Sequence, residues 1–314
     1  MLRFIVRRLI NIIPVALIVL VVTFSLIHLT PGNPAYTILG DQASRQSVKL
    51  LDIKMGLNKP IWVQFLLYLH QVITGNLGLS LIGGQSVSSM IVAAMPVTLE
   101  LALMAVFLSL LIALPIGIVA AYRPNTWVDA LSRIIALVGA AVPNFLLALL
   151  LVYIFAVSLR WFPSLGWVPF AASVGGNLWH IILPVVVLAL PLVAVTSRVI
   201  RGELIEVMHL TYIRVARSKG LGEWVVVMRH GLKNALIPAV TVVGLQIGAL
   251  LGGVVITESI FSLPGMGQLV VNAIFERNYP VLQGSVLVMA LVVIVANLLV
   301  DLCYAWINPQ IRYN

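Results

Sequence analysis

Residues 97–121 read VTLELALMAVFLSLLIALPIGIVAA, a run in which Glu100 is the one ionisable side chain. A helix that crosses the hydrocarbon of a bilayer needs about 20 mainly apolar residues, and this run supplies them. Five more runs of that kind follow the same rule: Leu9–Leu29, Arg133–Val157, Trp179–Ser197, Leu236–Ile256 and Gln283–Trp306. The expected fold class is an all-α polytopic membrane protein with six transmembrane helices and a long extracytoplasmic loop after the first. That first run follows Arg3, Arg7 and Arg8, as a signal peptide would. It is too long for a signal core, and Leu29-Thr30-Pro31-Gly32 follows it in place of a small-residue cleavage site, so it reads as an uncleaved anchor.

Composition agrees. Of the 314 residues, 61% are hydrophobic and 9% charged, whereas a soluble domain carries about a quarter charged residues. So few charges cannot clothe a water-facing surface. The net charge of +9 does not point to nucleic acid, because the basic residues sit in loops between apolar runs. The single Cys303 excludes a disulfide framework within the chain and a cysteine metal cluster.

Loop charge sets the orientation. With a cytoplasmic N-terminus, the inner segments hold 13 of the 19 Lys and Arg residues, seven of them between Arg198 and Lys233. The outer segments hold Arg45, Lys49, Lys54, Lys59, Arg160 and Arg277. Six spans return the C-terminus to the cytoplasm. The chain then divides into an anchor helix over 1–30, an extracytoplasmic loop over 31–95, and a five-helix core over 96–314 with a cytoplasmic loop at 198–235.

The outer loop is too long to be structureless. Val48, Leu51 and Met55 share a helical face, with Ser44 as a cap and Gly56 as a stop. Pro60 opens a second pattern, in which Ile61, Trp62, Phe65, Leu66, Leu69, Val72 and Ile73 form one stripe ended by Gly75. That stripe is too short to span and suits a membrane surface or the side of the bundle. Residues Leu79–Ser89 read as a surface loop.

In the inner loop, Thr211–Lys219 has helical character, and Gly220 can close it in a left-handed cap. Glu223 begins a second helix carrying Val225, Val226, Met228 and Leu232; Arg229/Lys233 and His230/Asn234 are i,i+4 pairs on it, and Pro238 lies just inside the next span. Such a helix–turn–helix suits a membrane subunit that receives motion from a soluble partner. An ordinary basic loop that fixes topology and meets anionic lipid explains the same residues. On the first reading, Ala216 is small enough for close approach to a partner groove, and Arg214 and Arg217 share a face that can grip acidic or carbonyl groups.

Catalytic chemistry is not visible in the sequence. No Gly-Lys pair occurs, so there is no phosphate loop of the Walker type, and no nucleophile–base set or metal-spaced cluster is present. No catalytic or metal-binding residue is assigned, and the subunit is expected to be non-catalytic. Glu100 and Asp301 fall within apolar runs. Intramembrane acids are candidates for a transport pathway, but both lie near a span end, where a structural role also fits. Gly248 and Gly252 form a GxxxG pair that serves a subunit seam or packing within the chain equally well.

Several segments in order resemble the permease subunits of dipeptide, oligopeptide and nickel ABC importers. They are Pro31-Gly32-Asn33-Pro34-Ala35, Gly56-Leu57-Asn58-Lys59-Pro60, Gly75-Asn76-Leu77-Gly78-Leu79-Ser80, and Pro96 through Leu101. Tyr212-Ile213-Arg214-Val215-Ala216-Arg217-Ser218-Lys219-Gly220-Leu221 follows, then His230 through Pro238, Phe261 through Gly267, and Asn308 through Tyr313. The resemblance implies a type I ABC importer permease fold and assigns Tyr212–Pro238 to the loop that docks on a cytoplasmic ATPase. Tyr212, Arg214, Ala216, Arg217, Lys219, Gly220, His230, Asn234 and Pro238 are the coupling residues it implies. The wider importer class begins this motif with Glu-Ala-Ala; here Arg214-Val215-Ala216 takes those places and Gly220 keeps the spacing. The resemblance also implies a second homologous permease, two ATPase subunits that bind ATP and Mg, an extracytoplasmic solute-binding protein, and a bacterial inner membrane. The competing class is an ion-coupled secondary transporter working alone, which needs midplane acids or broken helices at a coupling site. Short peptides, nickel chelates, opines and glutathione are the solutes that relatives handle.

Overall fold

The structure, a computed structural model, describes residues 2–29, 44–56 and 58–307. The motifs at 31–35 and 308–313 lie outside them. The helices in chain order are α1 (Leu2–Leu29), α2 (Arg45–Met55), α3 (Ile61–Ile73), α4 (Val87–Tyr122), α5 (Trp127–Ala141), α6 (Asn144–Ser158), α7 (Val174–Met208), α8 (Thr211–Ser218), α9 (Glu223–Phe261), α10 (Met266–Phe275) and α11 (Tyr279–Ile307). Among the described residues, α4, α7, α9 and the Tyr279–Val300 part of α11 are long and apolar enough to cross a membrane. The bent pair α5 and α6 makes a fifth span if counted as one. Leu99, Leu103, Phe107 and Leu111 recur every four residues along α4 and are all exposed. An exposed apolar stripe of that length has no place in water and fits lipid.

Four expectations need correction. The run 133–157 is not one straight span: α5 and α6 meet at 104°. Pro143 explains the break, since it has no N–H to give and disfavours helical backbone at the residue before it; Val142 is extended, with φ −81° and ψ 121°. The fourth run does not end at Ser197. Beyond the Arg198 that suggested a loop, Ile200, Leu204 and Val207 keep up the buried stripe and carry α7 to Met208. The second helix of the inner loop is not separate from the fifth span, because α9 runs unbroken from Glu223 to Phe261, so only residues 209–222 link the helices apart from α8. Finally, Leu79–Ser89 is not simply a surface loop. Leu79 and Ser86 pair as an isolated bridge, Ser80 is buried, and α4 has begun by Val87.

The chain forms two compact units. One holds Ile5–Thr98 and Pro264–Ile294. Its core is Val87, Ile91, Ala94, Met266, Ala273 and Val281. Here α2 begins at Ser44, whose hydroxyl accepts from Ser47 N at 3.1 Å, and ends at Gly56 in the left-handed region, as read from the sequence. The stripe of α3 is covered in part by α1: Phe65 meets Phe24 edge-to-face at 5.3 Å, and Tyr68 shares a hydrogen bond with Thr23 at 2.9 Å. Buried Asn278 accepts from Leu81 N and donates to Ser80 Oγ, which pins the loop before α4.

The other unit holds Leu99–Leu263 and the part of α11 from Val295 on. Its helices pack closely through small residues. A methyl group on Gly117 of α4 would lie 2.9 Å from Ile200 Cβ of α7. One face of α5, Asp129, Ser132, Ala136 and Gly139, is buried and packs on α7.

Candidate functional site

The link between α7 and α9 is short and internally braced. Leu210 is extended and starts α8; Gly220, at φ +76°, turns the chain back toward α9. An added Cβ on Gly220 would meet nothing within 4 Å, so the backbone conformation alone calls for glycine there. Three sets of contacts hold α8 to its neighbours. Ile213 and Ala216 are buried with Val226 of α9, and Met208 packs on them. Arg217 grips Glu223 across the turn, Nη2 to Oε1 at 2.6 Å and Nε to Oε2 at 3.0 Å. The Tyr212 hydroxyl accepts from Asn234 Nδ2 at 2.7 Å and donates to the His230 carbonyl at 3.3 Å.

The segment of α9 under this hairpin, Val226–Gly231, is a π-helical turn. Wider turns of this kind occur mostly as single-turn bulges inside α-helices, frequently at functional sites. Gly231 is buried there, and a methyl on it would lie 3.0 Å from Leu204 Cδ1.

Tyr212, His230 and Asn234 are therefore brought together, and Gly220 has the left-handed turn expected of it. Two expectations fail. Ala216 faces inward, onto Ile213 and Val226, and is not presented to a partner. Arg217 is occupied by Glu223, whose hydrogen bonds raise the guanidinium pKa further. The helical stripe of α8 is what decides this: Ile213 and Ala216, three apart, turn the same face to α9. Arg214 and Lys219 are exposed, and Pro238 lies further along α9, away from the hairpin contacts. The outward face is apolar with a basic edge: Tyr212, Val215, Leu221, Trp224, Val225 and Met228 are all substantially exposed. Beside it, Tyr122, Pro124, Met208, His209, Arg217 and Glu223 line a cleft of about 200 Å³.

Glu100, close to the start of the apolar run 97–121, lies thirteen residues beyond the start of α4 and accepts from Trp167 Nε1 at 3.2 Å. Asp301 lies outside the residues whose side chains are described. Two further acids are buried. Glu258 is fully buried near the end of α9, two residues past the fifth apolar run. Asp129 is fully buried in the first turn of α5 and is gripped by Arg201 of α7. Its signal was an acid at the start of an apolar run, opposite an arginine at the far end of another.

Among the described residues no group of three or more His, Cys, Asp and Glu is placed to hold a metal. The hairpin is thus anchored on its inner side and apolar on its outer side.

Comparison with known proteins decides the family. The family described as binding-protein-dependent transport system inner membrane component matches residues 113–313, and its N-terminal membrane component matches residues 1–102. The chain belongs to this family. A dipeptide transport system permease protein of Alkalihalophilus pseudofirmus is 43% identical to it over 333 residues, covering 100% of both chains. A glutathione transport system permease protein of Salmonella paratyphi A is 41% identical over 314 residues, again covering 100% of both. The protein is thus an importer permease component of the ABC kind, set in the membrane by several apolar helices, and membership implies an ATPase and a binding protein as partner components.

Proposed function

We propose that this permease forms half of the translocation pathway of an ATP-driven importer for dipeptides, oligopeptides or solutes of similar size, glutathione included. It crosses the bacterial inner membrane six times with both termini in the cytoplasm; 31–95 is extracytoplasmic and 96–314 is the five-helix core. A second, homologous permease supplies the other half, two cytoplasmic ATPase subunits bind ATP and Mg, and an extracytoplasmic solute-binding protein delivers solute. Lipid surrounds the bundle, and nucleic acid has no part.

The observation that carries this reading is the α8–α9 hairpin. Its inner side is fixed by Ile213, Ala216, the Arg217–Glu223 pair and the Tyr212–Asn234 bond, while its outer side is left apolar. A rigid insert with a free apolar face suits a partner that must both push and pull. ATP binding closes the ATPase pair, α8 follows, and the pathway opens outward to accept solute; hydrolysis restores the inward state. ATP drives the cycle because it binds the two conformations with different affinity.

An ion-coupled transporter acting alone is the second reading, and the broken pair α5–α6 is the observation in its favour. Vesicles containing the permease pair, the ATPases and the binding protein distinguish the two. On our reading, uptake of a labelled dipeptide or of labelled glutathione requires ATP inside the cytoplasmic face and survives a proton ionophore. Uptake by this chain alone, abolished by the ionophore, would establish the other.

A further inference from the structure

We propose that Asp129 and Arg201 form a strut that makes α5 and α7 one rigid lever, carrying displacement of α8 to the bend at Val142–Pro143. The proposal rests on the reading of α8 as the element that meets the ATPase.

The chemistry of the contact is specific. Asp129 is fully buried, and its carboxylate uses both oxygens: Oδ1 accepts from Arg201 Nε, and Oδ2 accepts from Arg201 Nη2 at 2.8 Å and from Asn125 N at 2.9 Å. Arg133 Nη2 adds a looser contact at 3.7 Å. A two-pronged pair of this kind fixes distance, tilt and rotation together, which apolar packing does not. Stability alone is a poor reason for it, since buried ion pairs are often replaceable by apolar side chains without loss.

A second contact lies further along the same two helices. A methyl on Gly139 would stand 3.0 Å from Ala194 Cβ and 3.1 Å from the Leu190 carbonyl oxygen. Asp129 and Gly139 are ten residues apart on one face, a span of roughly 15 Å at helical rise. Helices fixed at two such points neither slide nor roll against each other. One end of the lever, α7, leads through His209 and Leu210 straight into α8. The other, α5, ends at the break before α6.

The test uses the assembled transporter in lipid, in a Cys303→Ser background, with spin labels at the exposed positions Glu206 of α7 and Ala141 of α5. Distances are measured without nucleotide and after trapping with ATP, Mg and vanadate. The strut predicts that the distance is the same in both states for the wild-type pair. In Asp129→Asn/Arg201→Gln, which leaves no unpaired buried charge, it changes by about 2 Å or more between states. Arg201→Lys, which keeps the charge but offers one prong in place of two, gives a change smaller than that of the double variant but larger than wild type. A distance that shifts in the wild-type pair, or stays fixed in the double variant, overturns the strut. So does failure of both variants to assemble, which would make the pair a folding requirement. Hydrogen exchange of α8 on ATPase binding is read in parallel. An α8 that gains no protection refutes the docking reading instead, and does so independently of the distances.

Discussion

Asn234 Nδ2 donates to the hydroxyl of Tyr212 at 2.7 Å, joining α8 to α9 across 22 residues of chain. The same hydroxyl reaches the His230 carbonyl at 3.3 Å, beside the π-helical turn. The two bonds add to the packing that holds α8 against α9. Tyr212→Phe removes both and keeps the ring, and a bond of this kind contributes about 0.5–1.5 kcal/mol. The expected result is normal insertion, ATPase assembly reduced by no more than a few fold, and a larger fall in uptake per ATP hydrolysed. Measuring both rates in one preparation checks it.

At Gly220 the cost of substitution is conformational, since space is open around it. Gly220→Val forces a β-branched residue to positive φ and should cost about 1–2 kcal/mol or more. Gly220→Asn, which tolerates that region, should stay near wild type. Uptake by both variants at equal membrane level is the measurement, and equal loss in both would show that the turn is not what matters.

Ala216→Asp buries an unpaired charge against Ile213 and Val226. It should loosen the hairpin itself, while Ala216→Ser should be tolerated. Protease sensitivity of the 209–222 segment in the permease without its ATPases reports this directly, with faster cleavage expected for Ala216→Asp alone.

Topology is checked by single cysteines in a Cys303→Ser background. Gln85 and Ser218 are both exposed. Labelled with an impermeant reagent from either side of sealed vesicles, they should react from opposite sides; reaction from one side would refute the proposed six-span arrangement.

Much of this structure is legible in the sequence because the bilayer imposes a simple rule on length and polarity. The caps of α2 at Ser44 and Gly56, the start of α3 after Pro60, and the turn at Gly220 are local events, and local chemistry announces them. The bend at Pro143 is hidden because its flanks are apolar on both sides, so hydropathy runs straight through it. The extension of α7 is hidden because Arg198 and Arg201 read as loop, although Ile200, Leu204 and Val207 continue the buried stripe. Of the candidate site, residue choice was legible but facing was not. Which of Val215 and Ala216 looks outward depends on where α9 lies, and a resemblance of motif carries no such information. The Asp129–Arg201 pair is 72 residues apart in the chain, and no spacing rule reaches that far.

Val215 of α8 is exposed, beside the buried Ala216, on the face that the proposed coupling assigns to the ATPase. The most direct test of the coupling reading is therefore the amount of ATPase that co-purifies with Val215→Asp, compared with wild-type permease at equal membrane level. Because this change touches the outer face and none of the bracing contacts, insertion and hairpin protection should be unaltered. ATPase recovery should fall tenfold or more, on the order of the loss expected when a charge is buried unpaired at an interface. Recovery of ATPase at the wild-type level would contradict the account and return α8 to the role of a basic loop at the membrane surface.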